Sequence, residues 1–133
     1  MLVYCDSVIL MYFFDHTGPF NMRATNRLAA LAAAKDRIAV SALVRLEYRI
    51  MPLKSADKTK LALFDAFCAR PDVQQVPITT AVFERATLIR VAHNFKLADS
   101  LHLAAAVESG CDRFLTNDAR LSAFTDMTVE VLP

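Results

Sequence analysis

The chain has 133 residues, 55% of them hydrophobic, with 15 basic and 14 acidic side chains, a net charge of +1 and only two glycines. That length and composition suit one domain, 1–133, with an ample core, and no apolar run approaches the roughly 20 residues of a membrane-spanning helix, so no membrane partner is expected. With only Gly18 and Gly110, neither the phosphate-loop nor the dinucleotide-binding glycine motif can be written, which removes the ATPase and NAD-enzyme classes.

Leu2 to Cys5 predicts a short first strand. Asp6-Ser7 then opens an apolar helix through Phe14, ended by a turn at His16-Thr17-Gly18-Pro19. Asn21 to Lys35, rich in Ala and Leu, predicts a long helix, and Arg37 to Ser41 a second strand. Ala42 to Met51 predicts a helix closed by Pro52, with Leu43, Leu46 and Ile50 sharing a face with Glu47. Ser55 to Arg70 is amphipathic, anchored by Leu61, Phe64, Ala66 and Phe67, with a solvent-facing start at Lys54, Lys58 and Lys60. Pro71-Asp72 is a turn, Val73 to Ile78 a third strand, and Thr79 or Thr80 a cap for a helix over Ala81 to Asn94. Ala98 to Ser109 predicts a largely apolar helix with Gly110 as its C-terminal cap, Arg113 to Thr116 a fourth strand and Thr128 to Leu132 a fifth. This alternation implies an α/β fold with a mostly parallel, covered sheet.

Three cysteines, Cys5, Cys68 and Cys111, form no CxxC pair and leave an odd count, so they read as reduced, small core hydrophobes. His16, His93 and His102 fall on different elements, which gives no zinc spacing. No basic segment precedes the first apolar run and an Asp follows it, which argues against a cleaved signal peptide and for a cytosolic location.

Four acids stand where a carboxylate needs a reason to be. Asp6 and Asp118 follow apolar strands and should emerge at their carboxyl ends, the rim where such sheets place ligands. Glu47 shares an apolar helix face, and Asp99 shares its own with His102, Leu103 and Ala106. A carboxylate turned toward a core is costly unless a cation or donors hold it. Each acid has an ordinary reading: Asp6 and Asp99 as helix caps, Asp118 as a turn residue, Glu47 paired with an arginine. The coincidence of all four favours a site for a hard divalent cation, Mg²⁺ or Mn²⁺, and with it phosphodiester hydrolysis by an activated water. Setting these acids aside leaves 15 basic side chains against ten acidic ones, a surface that suits a polyanion. Arg23, Arg45, Arg49, Lys54 and Lys96 are candidates for phosphate contact or plain solvated charge. Ser7, Thr116 and Asn117 either hydrogen-bond the acids or water or serve ordinary strand-end and cap chemistry, and His102, which could support a metal ligand, is expected instead to be a satisfied, partly buried histidine with no catalytic role.

The order of these motifs, an Asp after the first strand, a helix-borne Glu, then Leu97-Ala98-Asp99-Ser100-Leu101-His102-Leu103-Ala104 and Phe114-Leu115-Thr116-Asn117-Asp118, resembles the PIN-domain nucleases. In size and layout it looks most like the VapC toxins of toxin–antitoxin pairs, over essentially the whole chain. The resemblance implies a parallel five-stranded sheet flanked by helices on both faces, Mg²⁺- or Mn²⁺-dependent cleavage of RNA of the transfer or ribosomal class, a homodimer, and a small antitoxin that occludes the acidic site. It implies Asp6, Asp99 and Glu47 as metal ligands, Asp118 as a fourth acid acting through water, and Thr116, Asn117 and Ser7 in support. Where the family carries Asn or Ser two residues after the first Asp, this chain has Val8, with Ser7 one residue early. That departure keeps two alternatives in view, a catalytically silent PIN-like module that binds a partner and a DNA-directed nuclease.

Overall fold

The computed structural model describes residues 1–15 and 17–133. Its elements run β1 (Leu2–Cys5), α1 (Ser7–Phe14), α2 (Gly18–Ala33), β2 (Arg37–Ser41), α3 (Ala42–Lys54), α4 (Lys58–Cys68), β3 (Val73–Val76), α5 (Thr80–His93), α6 (Leu97–Glu108), β4 (Arg113–Thr116), a 3-10 turn (Ala119–Ala123) and β5 (Thr128–Val131). All five strands pair in parallel in the order β3-β2-β1-β4-β5. The expected parallel five-stranded α/β sheet is therefore present.

The central strand is apolar because both of its faces are covered. Val3, Tyr4 and Cys5 in β1 and Phe114 and Leu115 in β4 are fully buried. Crossovers from β1 to β2 and from β2 to β3 step one way along the sheet, and the connection from β3 to β4 steps back past β1. Right-handed crossovers then put the mutually packed α1–α4 on one face and the α5–α6 pair on the other. The reversal between β1 and β4 opens a crevice beyond their carboxyl ends, and Asp6 and Asp118 are the residues that follow there.

Several expected boundaries shift for identifiable reasons. Of the turn expected at 16–19, His16 lies outside the described residues, and Gly18-Pro19 begins α2 instead of only ending α1. Proline at the first turn costs nothing because its missing N–H would be unpaired there anyway. Pro52 does not close α3, which continues to Lys54 with the proline ring buried. α4 starts at Lys58 rather than Ser55, because Asp57 caps it by accepting from the Lys60 N–H. β3 stops at Val76, before Pro77, which has no N–H to give a ladder. The face of α3 that meets the core is Val44, Tyr48 and Pro52, whereas Leu46 and Ile50 are exposed, so the apolar stripe read beside Glu47 is not the buried one. Ala66 is likewise exposed, and Phe64 and Phe67 carry the packing of α4.

Candidate metal centre

Asp6, Glu47, Asp99 and Asp118 all line a single polar cleft of about 480 Å³ at that crevice, together with Ser7, Val8, Asn117 and Arg120. Residues from the start of α1, from α3 and α6 and from the segment after β4 thus converge, although they span more than a hundred positions of sequence.

Asp6 occupies the N-cap position of α1, yet its side chain makes no cap bond. Its Oδ2 accepts instead from the Thr116 hydroxyl at 2.7 Å, and that hydroxyl in turn accepts from the Asp118 N–H at 3.1 Å, so Thr116 stitches the two strand ends together. Burial pushes the Asp6 carboxyl above its ordinary range, opposed by the nearby His102, whose Nε2 lies 3.9 Å from Oδ1, and by the Thr116 bond.

Glu47 does not pair with an arginine, since Arg45 and Arg49 both hold Asp65. Its Oε1 accepts from His102 Nε2 and, at 3.2 Å, from the Ser7 hydroxyl. The His102 bond holds the Glu47 carboxyl below its usual value against the opposing effect of burial. Ser7, one residue from its expected place, thus reaches Glu47.

Asp99 sits in the first turn of α6 and has no hydrogen-bond partner among the described residues. Burial raises its carboxyl, and the like charges of Asp6 and Asp118 raise it further. Asp118 caps the 3-10 turn through the Arg120 N–H and is forked by the Arg120 guanidinium at 2.6 and 3.0 Å, which holds its carboxyl low. Asn117 turns its amide to the Tyr12 hydroxyl at 3.0 Å and bonds no carboxylate among the described residues.

The four acids share a cleft, but among the described residues no group of three or more His, Cys, Asp or Glu side chains is set to hold a metal ion. Two of the acids are engaged elsewhere, Glu47 by His102 and Ser7 and Asp118 by Arg120. Asp6 and Asp99 keep free oxygens, and Asp99 is raised by its acidic neighbours, the condition a cation would relieve. The donor set is all hard oxygen, the chemistry that suits Mg²⁺ or Mn²⁺.

The PIN domain family model matches residues 3–126. This chain belongs to the PIN-domain family. No curated protein matches it. Among solved structures, this PIN domain is similar to VapBC2 from Rickettsia felis bound to a promoter DNA fragment, with a TM-score of 0.81 and 17% identity over 100% of both chains. It is similar also to a toxin–antitoxin complex from Klebsiella pneumoniae, with a TM-score of 0.76 and 19% identity over 98% of each chain. A third, the Mycobacterium tuberculosis sarcin-ricin loop cleaving toxin VapC20, has a TM-score of 0.74 and 17% identity over 95% of this chain and 98% of that one. At these identities the likeness is one of fold.

His102, expected from the sequence only as a satisfied, partly buried histidine, is more closely tied to the cleft than that reading gave it. It is 1% exposed and joins two elements through both ring nitrogens. Its place on the Asp99 face of α6 was the available signal.

Proposed function

We propose that this PIN domain is a metal-dependent endoribonuclease, the toxin of a toxin–antitoxin pair, hydrolysing RNA of the transfer or ribosomal class in the cytosol. The observation that carries the reading is the convergence of Asp6, Glu47, Asp99 and Asp118 in one cleft at the switch point of the sheet. A bound Mg²⁺ or Mn²⁺ supplies a water of lowered pKa and offsets charge developing on the phosphodiester. Asp6 and Asp99 would hold the ion, with Thr116 fixing the Asp6 carboxylate, and Glu47, held by His102 and Ser7, would accept a proton from water at the rim. Arg120, mostly exposed at the mouth, is placed to meet an RNA phosphate once Asp118 is engaged. A small antitoxin that covers this cleft, as a partner of the kind present in the similar toxin–antitoxin complexes, is the expected brake.

The silent binding module remains a second reading because Arg120 already forks Asp118, a basic side chain docked on one of the acids. Purified protein incubated with structured RNA and Mn²⁺ separates the two. Cleavage that needs the metal and disappears, by at least about a thousandfold, in Asp6→Asn and Asp99→Asn supports the nuclease. Absence of cleavage and of Mn²⁺ binding by a folded protein that still captures a basic peptide supports the module. Competition between RNA and single-stranded DNA of one sequence tests the choice of polymer.

A further inference from the structure

Behind the acidic cleft a line of hydrogen bonds runs through the core. Ser41 Oγ lies 2.7 Å from the Tyr4 hydroxyl, and that hydroxyl lies 2.7 Å from His102 Nδ1. The other ring nitrogen bonds Glu47, whose carboxylate faces the cleft. Tyr4 and Ser41 are fully buried and His102 nearly so, and none of the three lines the cleft.

Counting protons shows how the line closes. An ionised carboxylate only accepts, so the hydrogen of the lower bond belongs to Nε2. With one ring proton Nδ1 then accepts from Tyr4 and Ser41 donates to Tyr4, whereas with two Nδ1 donates to the Tyr4 hydroxyl, whose own proton goes to Ser41 Oγ, so the line closes either way. Burial keeps the Tyr4 phenol protonated far above its ordinary range, so that donor is always present. Around the ring, Tyr4 packs edge-on against the imidazole and stacks on Phe114, which leaves the imidazole little room to flip. Each member of such a line is satisfied only while the others stay in place.

We propose that Ser41, Tyr4 and His102 form a positioning device for Glu47, so that the grip of the cleft on a divalent cation is set in part by two residues, Tyr4 and Ser41, that never reach it. This rests on the reading of the cleft as a metal site. Tyr4 anchors the ring at Nδ1, the ring holds the Glu47 carboxylate through Nε2, and Ser7 completes the hold from α1. Partners that orient a carboxylate toward a metal commonly change its affinity by about tenfold or more.

The test is Mn²⁺ binding to the full chain, followed by calorimetry and by the paramagnetic resonance of free Mn²⁺, for the wild type, Tyr4→Phe, Glu47→Gln and the double variant. Tyr4→Phe is expected to weaken Mn²⁺ about tenfold, and to add little to the loss already caused by Glu47→Gln, because its effect passes through that carboxylate. Equal losses from Tyr4→Phe in both backgrounds, or unchanged or tighter Mn²⁺ binding, overturn the proposal while leaving the metal site intact. A wild type that binds no Mn²⁺ overturns both. The imidazole nitrogen NMR spectrum of the wild type gives a readout that needs neither metal nor variant. A proton on His102 Nε2 supports the device, and a ring protonated at Nδ1 alone overturns it even where Tyr4→Phe does not fold.

Discussion

Asp99 is held in the first turn of α6 facing two other carboxylates, with no donor of its own among the described residues, and its raised carboxyl reports first the cost of burial and then that repulsion. Two opposite effects of Asp99→Asn follow. Without metal the variant loses a strained charge and should melt higher than the wild type. With Mg²⁺ the order should reverse, because the wild type gains binding free energy and the variant does not. At a tenfold excess over the dissociation constant, linkage contributes about 1.4 kcal/mol, or about 5 °C for a domain of this size. Differential scanning fluorimetry across a Mg²⁺ titration reads both, and a wild-type melting curve indifferent to Mg²⁺ would remove Asp99 from the ligand set. Asp6 and Asp118 were legible because they follow apolar strands, and Asp99 because it starts a largely buried helix, whereas Glu47 was singled out by a stripe that lies exposed. The partners of His102 were not. Tyr4 and Glu47 lie 98 and 55 residues away, and no local spacing announces a contact that only the closed sheet creates.

Among the elements, β5 is the weakest member of the sheet, an edge strand that is only partly buried and paired to β4 alone. Glu130 ties it to α2, accepting from Arg27 at 2.5 and 3.0 Å, with Arg113 of β4 at 3.4 Å. The Arg27 bond holds the Glu130 carboxyl below its ordinary 4.5. A depressed carboxyl stabilises the fold when ionised, so this contribution is complete above pH 4.5 and is lost as pH falls through the lower folded value. Glu130→Gln should therefore cost about 1 kcal/mol at pH 7, and its urea midpoint should converge on that of the wild type below that window. A gap that persists unchanged into stronger acid would mean that the glutamate packs rather than pairs. Strand and helix identities followed from period and capping, but two of the misplaced helix boundaries involve proline. Pro19 and Pro52 punctuate local propensity in the same way, yet one begins a helix and the other is carried inside one. Burial of the Pro52 ring against the core offsets the hydrogen bond it forfeits, which is a tertiary effect that no window of residues contains. The exposed stripe of Leu46 and Ile50 has the same origin. Periodicity named one apolar face on α3, and the packing of Val44, Tyr48 and Pro52 chose another.

At the scale of the whole molecule, helix α5 is apolar on two sides. Val82, Ala86 and Ile89 enter the core, while Phe83, Leu88 and Val91 face outward beside Leu97 of α6, at 55%, 69%, 82% and 63% exposure. Phe83, Val91 and Leu97 also rim a shallow apolar recess floored by Ala86 and Leu101. An exposed apolar patch of this kind is what a two-fold homodimer would cover, which makes pairing through α5 a testable expectation. This face lies on the side of the sheet opposite α1–α4. Sedimentation velocity at tens of micromolar should show a species of twice the 14.8 kDa chain. Leu88→Glu with Val91→Glu should return it to monomer, since burying unpaired carboxylates in an apolar contact costs several kcal/mol, at least about a hundredfold in dissociation constant. Both residues are exposed in the isolated chain, so the double variant should melt within a degree or two of the wild-type monomer. A wild type that sediments as a monomer at every concentration would instead leave the α5 face to a different protein.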